Sequence, residues 1–227
     1  TYGFNKKADY RISNSRYNSD NSTFDLFYKD LNNKKKSIKN INIKLIGEHN
    51  ILNACAATAV CLNIGVKIEI IKKALKNFSG VQRRMTKIFT KNKNEFFDDY
   101  AHHPTEIASI LKGVKKSFKD RKVISVFEPH RYSRVMLLKD AFSKAFAKSD
   151  LVLVCPLYAA GEKKNSKFDI YKFAELISKN SKKQTVLVKS EIELANFLKK
   201  NLITDEIILG MGAGIISKWI RNLQYNL

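Results

Sequence analysis

From about Met85 onward, short apolar runs alternate with longer stretches whose apolar residues recur at helical spacing. The runs EFFDD, KVISVF, LVLVCP, TVLV and EIILG have strand length and are rich in β-branched or aromatic residues. Helices are expected between and after them, beginning near Thr105, Met136, Asp169, Ser190 and Gly212; Ser190 and Glu193 form a capping box for the fourth. Five such units predict an α/β fold, an open, mostly parallel, doubly wound (Rossmann-like) sheet.

The first 80 residues follow another pattern. Up to about Ile46, STFDLFY and SIKNINIKLI alternate imperfectly around the turn-rich KDLNNKKK, as strands at the β-rich edge of a larger domain would. An Ala-rich helix is expected from Asn50 to about Asn63, with Gly65 where a C-cap glycine belongs, and a second from Ile68 to Asn77. FSGVQRR then reads as a connector, giving domains at 1–80 and 81–227.

Composition adds limits. The net charge of +21 admits a nucleic-acid-binding module as an alternative of a different class. Most of the excess is Lys spread through Lys-Asn-Ile-rich stretches, while arginines sit in two short clusters, Arg83 with Arg84 and Arg131 with Arg134. A nucleic-acid partner is therefore not expected. The opening TYGFNKKADYRIS has no apolar signal region, and no apolar run approaches membrane-spanning length. The chain reads as soluble. Three cysteines form neither a C-x-x-C pair nor an even set, and Cys55 and Cys61 read as small core residues in a reducing cytoplasm.

In a doubly wound sheet, ligands bind beyond the carboxyl ends of the strands. DDYAHHP, EPHRYSR, PLYAAGE and GMGAG all fall there, with three of the four histidines. A carboxylate of the pair Asp98 and Asp99 suits ribose hydroxyls, or else a helix start before Pro104. Tyr100, His102 and His103 favour a functional reading of that loop. His130, Arg131 and Arg134 suit a carboxylate or phosphate, with a surface ion-pair cluster as the alternative. Arg83 and Arg84 could stabilise charge in phosphoryl transfer or form an interdomain salt bridge. Asn50 and Asn53 share a helix face and could read an adenine edge, with His49 stacked on the base; Asn50 alone could be only a cap. GMGAG departs from G-x-G-x-x-G and reads as close helix–strand packing; Tyr158 and Glu162 could face the cleft without assignable chemistry.

In this order, GEHNILNACAA, FSGVQRR, DDYAHHPTEI, FEPHRYSR, YAAGE and GMGAG resemble the motif series of the Mur family of ATP-dependent amide ligases. DDYAHHPTE followed by PHRYSR resembles most specifically the branch that joins L-alanine to UDP-N-acetylmuramate. Another Mur-type ligase, such as the murein-peptide recycling enzyme, is the alternative within the class; it is similar at AHHPT but lacks PHRYSR. The resemblance implies a bacterial cytoplasmic enzyme of peptidoglycan synthesis that uses ATP and Mg²⁺ and passes through an acyl phosphate. It implies adenine contacts from His49, Asn50 and Asn53, a phosphate contact from Arg84 and a ribose contact from Asp99. It also implies an amino-acid site from Tyr100, His102, His130, Arg131 and Arg134, with Arg84 and His102 closest to catalysis. These residues contain no G-x-x-x-x-G-K-[ST] loop. The phosphate loop, the Mg²⁺ ligands and the uridine-nucleotide domain are expected upstream of Thr1, in an amino-terminal half without which this chain is expected to be inactive.

Overall fold

A computed structural model describes residues 1–18, 20–30 and 32–227. It divides into two compact units, one of Thr1–Gly80 with Lys116–Lys119 and one of Val81–Lys115 with Asp120–Leu227.

In the first unit, β1 (Tyr2–Gly3), β2 (Tyr10–Tyr17), β3 (Ser22–Lys29) and β4 (Lys35–Ile43) form a sheet in sequence order. β1 pairs parallel to β2, and the other pairs are antiparallel. Leu31, within the expected KDLNNKKK turn, lies outside the described residues. Phe24, Leu26, Ile41 and Ile43 bury against Ile51, Ala54 and Cys55 of α1 (Glu48–Asn63). The chain leaves α1 through Gly65, whose φ of 82° lies in the left-handed region that glycine enters without a Cβ penalty. α2 (Ile68–Asn77) follows.

The second unit opens with a strand that the sequence pattern did not predict. β5 (Thr86–Lys91) pairs antiparallel with β6 (Asn94–Asp99) at the sheet edge. Asn92 and Lys93, with φ of 50° and 64°, make the tight two-residue link. β5 is half exposed and carries lysines, as an edge strand does, so its apolar signal is weak.

After β6 come α3 (Pro104–Ser117), β7 (Val123–Phe127), α4 (Tyr132–Leu137), α5 (Lys139–Ala145) and β8 (Leu151–Val154). Then follow α6 (Ile170–Ser181), β9 (Gln184–Leu187), α7 (Glu191–Asn201), β10 (Ile207–Met211) and α8 (Ile216–Asn226). The helix expected near Met136 is thus two short helices starting four residues earlier, and the one expected near Gly212 starts at Ile216. Ser190 caps α7 as expected, its hydroxyl accepting the Glu193 N–H at 3.2 Å.

Sheet order is β5-β6-β10-β7-β8-β9, and β6 to β10 are mutually parallel where they pair. The chain steps in one direction from β6 to β9, then returns to insert β10 between β6 and β7. Right-handed crossovers send the returning helix to the opposite face. Accordingly α7 and α8 pack on Phe96, Ile124, Val126, Leu153 and Val188. The other face carries Phe127 against Phe142 at 5.6 Å and Phe146 at 5.1 Å. At the carboxyl end of β10, the chain turns to one face while its neighbours turn to the other, the topological position at which such sheets bind ligands.

Candidate functional site

The candidate residues follow the carboxyl ends of β6, β7, β8 and β10. After β6 the chain turns at Asp99, which is 1% exposed. Its Oδ2 accepts the Met85 N–H at 2.8 Å and its Oδ1 the Ala101 N–H at 2.7 Å. The Tyr100 N–H donates to the Arg83 carbonyl at 2.7 Å. Together these bonds hold Arg83 and Met85 in the left-handed region, with φ of 60° and 47°. Burial pushes the Asp99 carboxyl up to about 6, against the two N–H donors and the Arg84 charge. The residue expected at a ribose thus also braces the Arg83–Met85 turn.

The two junction arginines do different things. Arg83 is partly buried; its Nη2 donates to the Gly212 carbonyl at 2.7 Å, and its guanidinium lies 4.8 Å from the Tyr100 ring centre. Arg84 is exposed, 6.0 Å from the same ring, its charge free to meet a ligand. Arg83 Nε stands 3.9 Å from buried Asp98, a pair within the second unit and not the interdomain salt bridge that was the alternative. Asp98 is also bonded by the Ser217 hydroxyl at 2.5 Å and by Arg221 at 3.4 Å.

Tyr100 is 38% exposed and meets His102 edge-on, ring centres 5.1 Å apart. His102 Nδ1 lies 2.8 Å from the Tyr100 carbonyl. A carbonyl only accepts, so this nitrogen carries the proton and Nε2 is left as the acceptor of the neutral ring. Glu106 holds the loop by accepting the His102 and His103 N–H groups at 3.1 and 3.2 Å. His103 is turned to its own helix, its Nδ1 accepting the Thr105 N–H at 3.3 Å.

From the end of β7, His130 comes within 5.4 Å of His102, ring centre to centre. His130 is 9% exposed, and its Nδ1 stands 3.2 Å from Arg134 Nη1. A guanidinium only donates, so here Nδ1 accepts and Nε2 carries the proton. Burial, then the nearby charges of Arg134 and Arg131, lowers the imidazole's proton affinity and so favours the neutral ring. Arg131 is exposed at φ 67°, on the sharp bend into α4 that aims Arg131 and Arg134 to the same end of the sheet.

Glu128 escaped the sequence reading, while Tyr158 and Glu162 were named there without a chemical role. Glu128, 2% exposed, accepts the N–H groups of Gly214, Ile215 and Ile216 at 2.7, 2.9 and 3.1 Å. Its carboxylate fills the N-terminal end of α8, where a phosphate would otherwise bind. GMGAG is therefore a packing turn, as its spacing suggested. A Cβ on Gly214 would fall 2.5 Å from both Glu128 Oε1 and Tyr158 Cγ. Tyr158 lies on His130, ring centres 5.7 Å apart and planes 27° apart. Glu162 accepts from the Ser133 N–H at 3.1 Å and from its hydroxyl, securing the start of α4. An acidic residue closing an apolar strand, as Glu128 does after KVISVF, was the available signal.

In the first unit, His49, Asn50 and Asn53 lie in the opening turns of α1 as expected. Asn50 is buried, with its Nδ2 donating to the Ile46 carbonyl at 2.8 Å, while Asn53 is exposed. Among the described residues no three His, Cys, Asp or Glu gather as metal ligands, and no helix is long and apolar enough to cross a membrane.

The family description "Mur ligase middle domain" matches residues 1–61, and "Mur ligase, glutamate ligase domain" matches residues 83–214. A UDP-N-acetylmuramate–L-alanine ligase of Pelagibacter ubique is 46% identical over 98% of this chain and 48% of its own length. The solved UDP-N-acetylmuramate–alanine ligase of Thermotoga maritima matches at TM-score 0.79 and 26% identity, over 99% of this chain and 47% of that one. A murein peptide ligase of Psychrobacter arcticus shares the fold at TM-score 0.64 and 23% identity, over 99% and 45%. The chain spans about half the length of the relatives it matches.

Proposed function

Because the chain belongs to the Mur ligase family, we propose that it is the carboxy-terminal part of an ATP-dependent enzyme that joins L-alanine to UDP-N-acetylmuramate. On this reading, residues 1–80 end the central ATP-binding domain and 81–227 form the carboxy-terminal domain. The observation that carries the proposal is an imidazole acceptor, His102, 5.4 Å from His130, which Arg134 bonds and whose proton affinity nearby Arg131 also lowers. That set suits an amino acid, whose carboxylate needs a cation and whose ammonium must lose a proton before it can attack.

The reaction has two steps. The muramyl carboxylate attacks the γ-phosphate of ATP, giving an acyl phosphate and ADP. The alanine amine then attacks the acyl carbon, phosphate leaves and the amide forms. Arg131 takes the alanine carboxylate, supported by Arg134, which also fixes His130. His130 presents Nε2–H as a donor, and Tyr100 closes the side of the site. His102 orients the amine and takes its proton on Nε2. Arg84 neutralises charge on the transferred phosphate. Asp99 serves the nucleotide side by setting the turn that carries Arg84, and His49, Asn50 and Asn53 take the adenine, Asn50 through its free carbonyl oxygen. Mg²⁺, when bound, neutralises phosphate charge. The described residues offer it no ligand set of their own, so none of the steps is assigned to it.

Steady-state kinetics of Arg131→Ala in the enzyme at its relatives' full length tests the assignment. The KM for L-alanine should rise by at least tenfold while the KM for ATP stays within twofold. An unchanged KM for alanine would remove Arg131 from the site.

A further inference from the structure

We infer that Tyr158 sets the size of the amino-acid side chain the site accepts; the inference rests on the amino-acid site proposed above. Four rings stand in a row across the strand ends: Tyr100, His102, His130 and Tyr158, with successive centres 5.1, 5.4 and 5.7 Å apart. Three have polar duties or contacts. Tyr100 faces the Arg83 guanidinium, and His102 and His130 each commit Nδ1 and keep Nε2 for a ligand. Tyr158 is different. It is 38% exposed, its hydroxyl bonds no other described residue, and its ring extends the wall past His130. It offers an apolar surface where the others offer charge or hydrogen bonds.

A size limit has to be rigid, and Tyr158 is held from three directions. Its N–H donates to the Pro129 carbonyl at 2.8 Å, and its carbonyl accepts the Arg131 N–H at 2.9 Å. Its ring rests on Gly214, where even a methyl group would come within 2.5 Å of Cγ. Gly214 in turn is fixed by Glu128 Oε1 at 2.7 Å. The ring therefore has no space to retreat toward α8. The same carbonyl bond ties the Tyr158 backbone to that of Arg131, so the apolar wall and the carboxylate clamp share one backbone anchor. An amino acid gripped by Arg131 meets a wall that cannot move away from its side chain.

Rejecting one extra methylene by shape is worth roughly 10- to 200-fold in kcat/KM. In the full-length enzyme, the ratio of kcat/KM for L-alanine over L-2-aminobutyrate should fall at least tenfold in Tyr158→Ala. Tyr158→Phe keeps the ring and should keep the ratio within twofold. Thermal melting of each variant separates lost folding from altered choice, because a ratio is insensitive to the active fraction. Equal loss on both substrates in Tyr158→Ala, or a ratio that moves as far in Tyr158→Phe, overturns the inference and leaves the alanine reading intact. A wild-type enzyme that uses neither amino acid overturns both.

Discussion

His102 and His130 face each other with ring centres 5.4 Å apart and carry opposite tautomers. Nδ1 is the donor in His102, toward the Tyr100 carbonyl, and the acceptor in His130, from Arg134. The pair thus offers one basic nitrogen and one N–H. Long-range ¹⁵N–¹H spectra at neutral pH should show a protonated Nδ1 in His102 and a protonated Nε2 in His130. Arg134→Gln removes a cation that, after burial, lowers the His130 proton affinity, so the His130 titration should move upward. Identical tautomers in both rings would contradict the assignment.

Asp99 gives the pH dependence of stability a definite sign. Its folded-state value, pushed up to about 6 by burial, exceeds the ordinary carboxylate value. The folded state therefore binds more protons than the unfolded state between about pH 4 and 6. The stabilisation from this group is full below about pH 4 and is lost as pH rises through about 6. Urea midpoints of wild type and Asp99→Asn, compared from pH 4.5 to 7.5, isolate it from other carboxylates. Wild type should gain on the variant as pH falls, by on the order of 2–3 kcal/mol over the full window. A difference that is flat, or reversed, would contradict the burial argument.

Glu128 and Gly214 predict stability losses of different origin. Glu128→Ala leaves three N–H groups at the start of α8 without acceptors, at about 1–3 kcal/mol for each that water cannot reach. Gly214→Ala forces overlap with Glu128 and Tyr158, costing about 1–3 kcal/mol. Gly65→Ala, at a positive φ with nothing within 4 Å, should cost only the backbone strain of about 1–2 kcal/mol. Urea denaturation measures all three, and a Glu128→Ala loss below about 0.5 kcal/mol would refute the lock.

The cysteines should divide by burial. Burial pushes the Cys55 thiol up to about 11 and raises Cys155 well above its ordinary value. Cys61 is partly exposed, contrary to its expected place in the core with Cys55. A thiol reagent should modify Cys61 in the native protein and the other two only on unfolding. Rapid native labelling of Cys155 would contradict its burial under the sheet.

Strand runs buried on both faces, such as KVISVF and LVLVCP, were legible because burial demands uninterrupted apolar residues. β5 was not, since an edge strand keeps lysines on its exposed side. The clustering of Tyr100, His102, His130 and Arg134 was legible from their places at strand ends. What each does with its nitrogens was not, because tautomer and burial depend on partners far apart in sequence. Asp99 illustrates the limit: its place at a strand end suggested a ribose contact, but not that its oxygens also hold the backbone of Met85 and Ala101. Glu128 was hidden for the same reason, its acceptors' partners lying at residues 214 to 216.

The most direct measurement is phosphate release from ATP by the full-length enzyme with UDP-N-acetylmuramate, supplied in parallel with L-alanine or with a murein tripeptide. The account predicts release and amide formation with L-alanine, abolished or reduced at least 100-fold in His102→Ala. Release with the tripeptide and none with alanine would contradict it and assign the chain to the recycling branch.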